Sequence, residues 1–280
     1  MPELAESYDL WGAERLLPLL PPRPVDSHKG RNGHVLCVGG NAGSGGAVML
    51  AAESALRAGA GLVSVATQQQ HVSPLLARLP EAMVHAVQDS GELQALLPRA
   101  TVVAIGPGLG QDDWARELLR QVLACGKPLV IDADALNLLA AHPQPLRDAI
   151  LTPHPGEAAR LLGSDTATVQ ADRFAAAKAL ATRFDAVVVL KGAGTVVAAP
   201  RARPRMIGAG NPGMAVGGMG DLLTGIVAAV RAQGLGAFDA ASCGALLHSL
   251  AGDVAARAGQ RGLLPTGLLA PLRRLANPEP

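Results

Sequence analysis

After residue 33 the sequence settles into a regular alternation that leaves few folds open. Short apolar, β-branched runs at 34–38, 62–66, 82–87, 101–105, 129–132, 149–152 and 186–190 exchange with Ala/Leu-rich stretches at 47–57, 71–78, 112–123, 135–141 and 171–184. Runs of strand length separated by stretches of helix length predict βαβ units, and so a mostly parallel sheet. A run such as Val187-Val188-Val189-Leu190 has no polar alternation, so it predicts a strand buried on both faces. The fold class is therefore α/β, a three-layer αβα sandwich. The rhythm changes after Lys191. Short strands at 195–198 and 205–207 around a Pro/Arg turn predict a hairpin, and helices follow near 221–231, 240–257 and 268–275. Pro18, Pro21, Pro22 and Pro24 exclude a continuous helix in residues 1–30, which read as an N-terminal arm. No linker or repeat divides the chain, and residues 1–280 are read as one domain.

Charge and composition exclude several function classes. With 24 basic and 23 acidic residues the net charge is +1, which offers no electrostatic basis for binding nucleic acid or a membrane surface. Aromatic residues make up 2%, too few for a base-stacking platform. Cys37, Cys125 and Cys243 are odd in number and far apart, and are expected to be buried thiols in a reducing compartment. The first residues carry Glu3, Glu6 and Asp9, unlike a secretory signal, and apolar stretches such as 222–230 fall short of the roughly 20 residues of a spanning helix. A cytoplasmic protein is expected.

Five glycine- or proline-marked segments follow strands or open helices. In Val216-Gly217-Gly218-Met219-Gly220-Asp221 the glycines lead directly into a helix, so backbone N–H groups and the helix dipole favour an anion there. Asp221 could be an ordinary acidic N-cap. A carboxylate beside an anion cradle makes chemical sense, however, as the base that takes a proton from a hydroxyl attacking phosphorus. Thr152-Pro153-His154-Pro155-Gly156-Glu157 lies at a strand end, where open α/β sheets bind ligands. The flanking prolines argue against a helical His/Glu zinc pair. Glu157 is either a first-turn helix carboxylate or a ligand, direct or through water, of a Mg²⁺ on the phosphates, and His154 is either a turn residue or a ligand contact. Leu190-Lys191-Gly192-Ala193-Gly194-Thr195, Gly106-Pro107-Gly108-Leu109-Gly110 and the loop 39–47 each follow a strand, and none is a P-loop. Gly208-Ala209-Gly210-Asn211-Pro212-Gly213 matches G-x-G-x-x-G, but it follows no long strand and has no acid about twenty residues on, so a dinucleotide fingerprint is rejected. Asp132 and Asp134 end a strand and could face a site or cap the next helix. His28, His34, His71, His85, His142 and His248 do not cluster and read as structural.

Taken in order, Lys29-Gly30, the 39–47 loop, Arg57-Ala58-Gly59-Ala60-Gly61-Leu62-Val63, the Gly106 and Asp132 segments, Thr152–Glu157, Leu190-Lys191-Gly192 and Gly217–Asp221 resemble NAD(P)HX dehydratase across about residues 28–275. The resemblance implies a ribokinase-like fold without the lid of the sugar kinases. It implies dehydration of the S epimer of NADHX or NADPHX, with ADP as phosphoryl donor and Mg²⁺, in a homotetramer that works beside a separate NAD(P)HX epimerase. The epimerase domain fused to many members is expected to be absent. Carried over by position, Asp221 is the base, and Gly218, Met219 and Gly220 form the anion hole. Lys191, Gly192, Ala193, Gly194, Thr195 and Gly220 hold the adenylate. Ala47, Gly108, His154 and Asp221 contact the hydrated dinucleotide, and Glu157 is the metal-associated acid. Met219 replaces the Ser or Thr common in this turn. Two other functions compatible with these residues are a kinase of the same fold that releases a phosphorylated alcohol, and a nucleotide sensor without catalysis.

Overall fold

The computed structural model describes residues 8–279, so the opening acids Glu3 and Glu6 lie outside the described residues. Ten strands form one sheet: β1 (Asp9–Trp11), β2 (His34–Val38), β3 (Leu62–Thr67), β4 (Met83–Ala86), β5 (Val102–Ile105), β6 (Leu129–Ile131), β7 (Ala149–Leu151), β8 (Val187–Leu190), β9 (Thr195–Ala198) and β10 (Arg205–Ile207). Their order is β1-β10-β9-β8-β7-β6-β5-β2-β3-β4. Only β9 runs against its neighbours, which is the expected hairpin; all other pairings are parallel.

The period of two along each strand sorts the core into two layers. Val35, Cys37, Val63, Val65, Val102 and Ala104 face helices Gly45–Arg57, Met219–Ala232, Ala237–Ala255 and Leu269–Leu275. Leu36, Val38, Val103, Ile105, Ile131 and Leu151 face helices Asp113–Ala124, Ala133–Ala141, Pro155–Leu162 and Arg173–Phe184. A strand buried on both faces needs no polar side chain, which is why the central runs are continuous. The family of three-layer α/β folds expected from the alternation is the one observed.

The sequence reading is corrected in four places. Part of the N-terminal arm enters the sheet: β1 pairs in parallel with β10, Asp9 opposite Arg205, and a short helix follows at Leu16–Leu19. The 171–184 stretch is preceded by a second helix, Thr166–Ala171, because Asp165 caps one helix and Asp172 the next. Helix Ser90–Leu96 has no counterpart in the sequence reading, and the first-turn reading of Glu157 extends into a full helix, Pro155–Leu162. Cys125 is only partly buried, whereas Cys37 and Cys243 are buried and burial pushes both thiols up to about 12. Among the described residues, no helix is long and apolar enough to cross a membrane.

Helices Gly45–Arg57 and Met219–Ala232 carry Ala47 and Asp221 at their first turns, and they touch backbone to backbone. Ser54 Oγ donates to Leu222 O at 2.9 Å, and a Cβ at Gly225 would strike Ala51 O and Ser54 Oγ. Overpacking such a contact costs about 1–3 kcal/mol. We therefore expect Gly225→Ala to lower the urea midpoint with an unchanged m-value. An unaltered midpoint would show that the two helices are not held at contact distance.

Candidate active site

Three strand ends and one helix start converge on a half-buried cation. Lys191 follows β8, and its Nζ donates to Asp132 Oδ1 at 2.8 Å and lies 3.8 Å from Glu157 Oε2. Asp132 is 1% exposed. It occupies the N-cap position of helix Ala133–Ala141, yet its side chain makes no capping bond. Its second oxygen instead accepts from Thr224 Oγ1 at 2.7 Å, so Asp132 joins β6, β8 and helix Met219–Ala232. The next residue, Ala133, has φ 49°, an uncommon conformation for a residue with a Cβ. Asp134 turns the other way and accepts from Gly110 N at 2.9 Å, holding the Gly106–Gly110 loop.

The glycine turn closes over this network. Gly218 is left-handed (φ 93°) and caps helix Met219–Ala232 by backbone alone. Asp221 is therefore not the N-cap but stands in the first turn, with free N–H groups around it as at any helix start. Gly220 lies against the cluster: a Cβ there would come 3.2 Å from Lys191 Nζ and 3.6 Å from Asp132 Oδ2. The Met219 side chain is buried in the core, so only its backbone is available at the turn.

Electrostatics follow from burial and crowding. Burial pushes the Asp221 carboxyl up to about 6, with Asp132, Asp134 and Glu157 adding to the rise and Lys191 opposing it. Burial also raises Glu157, and the charge of Asp132 adds to this against Lys191. Lys191 is opposed by burial, but Asp132 and Glu157 outweigh it and hold its ammonium above the usual range. Behind the turn, burial takes His248 down to about 4, with Lys191 adding to the fall, so it is neutral.

His154 and Glu157 form a reciprocal cap. His154 Nδ1 accepts from Gly156 N (3.0 Å) and Glu157 N (3.3 Å), while Glu157 Oε2 accepts from His154 N at 2.7 Å. The first-turn reading of Glu157 thus holds, and His154, exposed at its ring, keeps Nε2 3.5 Å from Glu157 Oε1. The Lys191–Thr195 loop has an organiser that the sequence reading missed. Arg173 donates to the carbonyls of Leu190, Lys191, Ala193 and Gly194. No motif marks Arg173, because its role depends on helix Arg173–Phe184 lying beside β8. Thr224 was passed over for a similar reason: its hydroxyl bonds an aspartate 92 residues away. On the far side of the site Gly108, with φ +59°, backs onto the start of helix Gly45–Arg57, where a Cβ would come 3.1 Å from Ala47 Cβ. Gly208–Gly213, the rejected fingerprint, is anchored by Asp253, which accepts from Gly210 N and Asn211 Nδ2, both at 2.9 Å.

Among the described residues, no group of three or more His, Cys, Asp or Glu side chains is arranged to hold a metal ion unaided. Residues 35–274 match the NAD(P)H-hydrate dehydratase family. The chain belongs to that family. It is thus a member of an enzyme family of hydro-lyases. It is 52% identical to the bifunctional NAD(P)H-hydrate repair enzyme Nnr of Coxiella burnetii over 264 residues, 94% of this chain and 54% of that protein. The chain spans about half the length of the curated relatives it matches. Among solved structures, a ribokinase-like superfamily protein of Enterococcus faecalis superposes with a TM-score of 0.91 at 32% identity, covering 99% of this chain and 98% of that one. An ADP/ATP-dependent NAD(P)H-hydrate dehydratase of Bacillus subtilis, co-crystallised with ATP and Mg²⁺, gives 0.86 at 30% identity, covering 97% and 98%.

The raised Asp221 carboxyl carries a stability cost with a definite sign. Between its unfolded value of 3.8 and about 6 the folded protein binds more protons, so folding loses stability as pH rises through that window. Asp221→Asn removes the penalty. We expect a higher Tm than wild type at pH 8 and a much smaller gap at pH 4. A variant equally destabilised at both values would show that Asp221 contributes through contacts instead.

Proposed function

We propose that this chain dehydrates the S epimer of NADHX and NADPHX to NADH and NADPH, with ADP as donor and AMP and phosphate as the other products. The observation that carries the reading is a high-pKa carboxylate, Asp221, set in a glycine-lined helix start against Lys191. The hydrated ring's hydroxyl attacks the terminal phosphorus of ADP, Asp221 takes its proton, and AMP leaves. A carboxyl near 6 is ionised at neutral pH yet basic enough to accept that proton. The N–H groups of Gly218–Gly220 and the Lys191 ammonium offset the charge on the transferring group. Phosphorylation makes the ring oxygen a good leaving group. The ring nitrogen then expels phosphate, a neighbouring carbon loses a proton, and the conjugated dihydropyridine returns.

The other assignments carry over by position from the resemblance. Lys191, Gly192, Ala193, Gly194 and Thr195, braced by Arg173, take the adenylate together with Gly220. Ala47, Gly108 and His154 take the hydrated dinucleotide. The oxygen donors present suit Mg²⁺ as a guest held mostly by phosphates and water, with Glu157 as the associated acid; when bound, such an ion would neutralise phosphate charge. The reading extends to a cytoplasmic homotetramer, for which light scattering checks the assembly. A partner epimerase activity on the same substrates is supported by the bifunctional names of the relatives.

The test is a complete reaction of NADHX with ADP, followed by phosphorus NMR and NADH absorbance. We expect NADH, AMP and phosphate in equal amounts, and a rate loss of about 10² to 10⁴ in Asp221→Asn. A lasting phosphomonoester on the dinucleotide would mark a kinase instead, and half the wild-type rate in the variant would remove Asp221 as base.

A further inference from the structure

We propose that Asn41 is a positioning residue of the substrate side, the side chain that ties the Gly106–Gly110 loop, held from its other end by Asp134, to the start of helix Gly45–Arg57. The inference rests on the assignment of Ala47 and Gly108 to the hydrated dinucleotide.

Asn41 lies just beyond β2, and its polar groups bind three loops. Its backbone N–H donates to Gly108 O at 2.6 Å, and the N–H of Gly40 donates to Pro107 O at 3.0 Å. Its side-chain Nδ2 donates to Leu109 O at 3.1 Å and to Asp112 Oδ2 at 2.9 Å. Its Oδ1 accepts from Ala42 N at 2.7 Å, and its backbone oxygen accepts from Ser44 N at 2.9 Å and from His71 Nε2 at 3.0 Å. One residue therefore ties the loops that follow β2, β3 and β5. Asp112 is fixed in turn, because its other oxygen caps helix Asp113–Ala124 through Ala115 N at 3.0 Å.

The side chain must be an amide. It has two acceptors to satisfy, Leu109 O and Asp112 Oδ2, and one donor, Ala42 N. An aspartate could serve Ala42 but would set a carboxylate against both Asp112 and a carbonyl. Alanine would remove the tie altogether, giving the exposed Asp112 Oδ2 and Ala42 N over to water and taking from Leu109 O its side-chain donor. The surroundings leave little slack: a Cβ at Gly110 would come 2.6 Å from Asn41 Nδ2, and one at Gly108 would come 2.5 Å from Ser44 O. Asn41 shares no hydrogen-bond partner with Lys191 or Arg173, so it governs the spacing of one binding half without bonding to the other. Its action is through the loops; the reacting atoms are left to Asp221.

The experiment compares Asn41→Asp, Asn41→Ala and the double variant Asn41→Asp/Asp112→Asn. Losing one neutral hydrogen bond is worth up to about tenfold in binding. We expect the single variants to raise KM for NADHX by about tenfold or more, with KM for ADP within about twofold of wild type. The double variant, which restores a donor–acceptor pair between positions 41 and 112, should recover most of the loss. Amide hydrogen exchange, which needs no substrate, should quicken across residues 106–110 in Asn41→Ala while residues 191–195 keep their protection. Equal rises in both KM values, no recovery in the double variant, or unchanged exchange across 106–110 would overturn the proposal. A wild-type protein that fails to turn over NADHX with ADP would instead sink the proposed reaction, and the exchange data would still judge the loop clamp by itself.

Discussion

The pair between half-buried Lys191 and buried Asp132 is the constraint on which the rest of the site depends. A charge as deeply buried as Asp132 is tolerable only when it is paired and hydrogen-bonded, and here both oxygens are taken, by Lys191 and Thr224. Removing one member of such a pair typically costs about 3–5 kcal/mol, because the other is left buried and alone. The pair therefore locks three separate elements: the end of β6, the end of β8 and the start of helix Met219–Ala232. Gly220 packs closely on that lock, which places Asp221 beside a cation without bonding the two together.

The consequence is chemical. Three carboxylates, Asp132, Glu157 and Asp221, share the field of one ammonium, and a fourth, Asp134, acts on Asp221. Asp132 has the direct hydrogen bonds, whereas Asp221, with burial and three acidic neighbours against it, keeps a high affinity for protons, and burial raises Glu157 as well. Two carboxylates with unlike environments so acquire unlike roles, one structural and one reactive. The left-handed Ala133 between Asp132 and Asp134 fits this division: the turn sends one acid into the cluster and the other to the Gly106–Gly110 loop.

Much of this was legible before any coordinates. The alternation of runs identified the parallel sheet, because a strand buried on both faces leaves a continuous apolar signature. The glycine turn before Asp221 and the Thr152–Glu157 segment stood out because glycine and proline mark backbone geometry locally. Asp132 was visible but undecided, since an acid at a strand end caps a helix or faces a ligand with equal ease. Arg173 and Thr224 were silent: each acts on a segment distant in sequence, and neither belongs to a pattern of short period. β1 was hidden by the prolines around it, because three residues pairing with β10 carry no periodicity to detect. The capping role of His154 was unexpected, since an imidazole nitrogen seldom takes the place of the usual Ser, Thr, Asp or Asn oxygen.

The central claim is that folding holds the Asp221 carboxyl in a state able to accept a proton near neutrality. The most direct measurement is a pH titration of the protein with ¹³C-labelled aspartate carboxyl groups, with the Asp221 signal assigned by its loss in Asp221→Asn. The account predicts an apparent pKa near 6 for that signal. A midpoint below the ordinary aspartate value of 3.8 would contradict it, since Asp221 would then be a paired structural anion like Asp132.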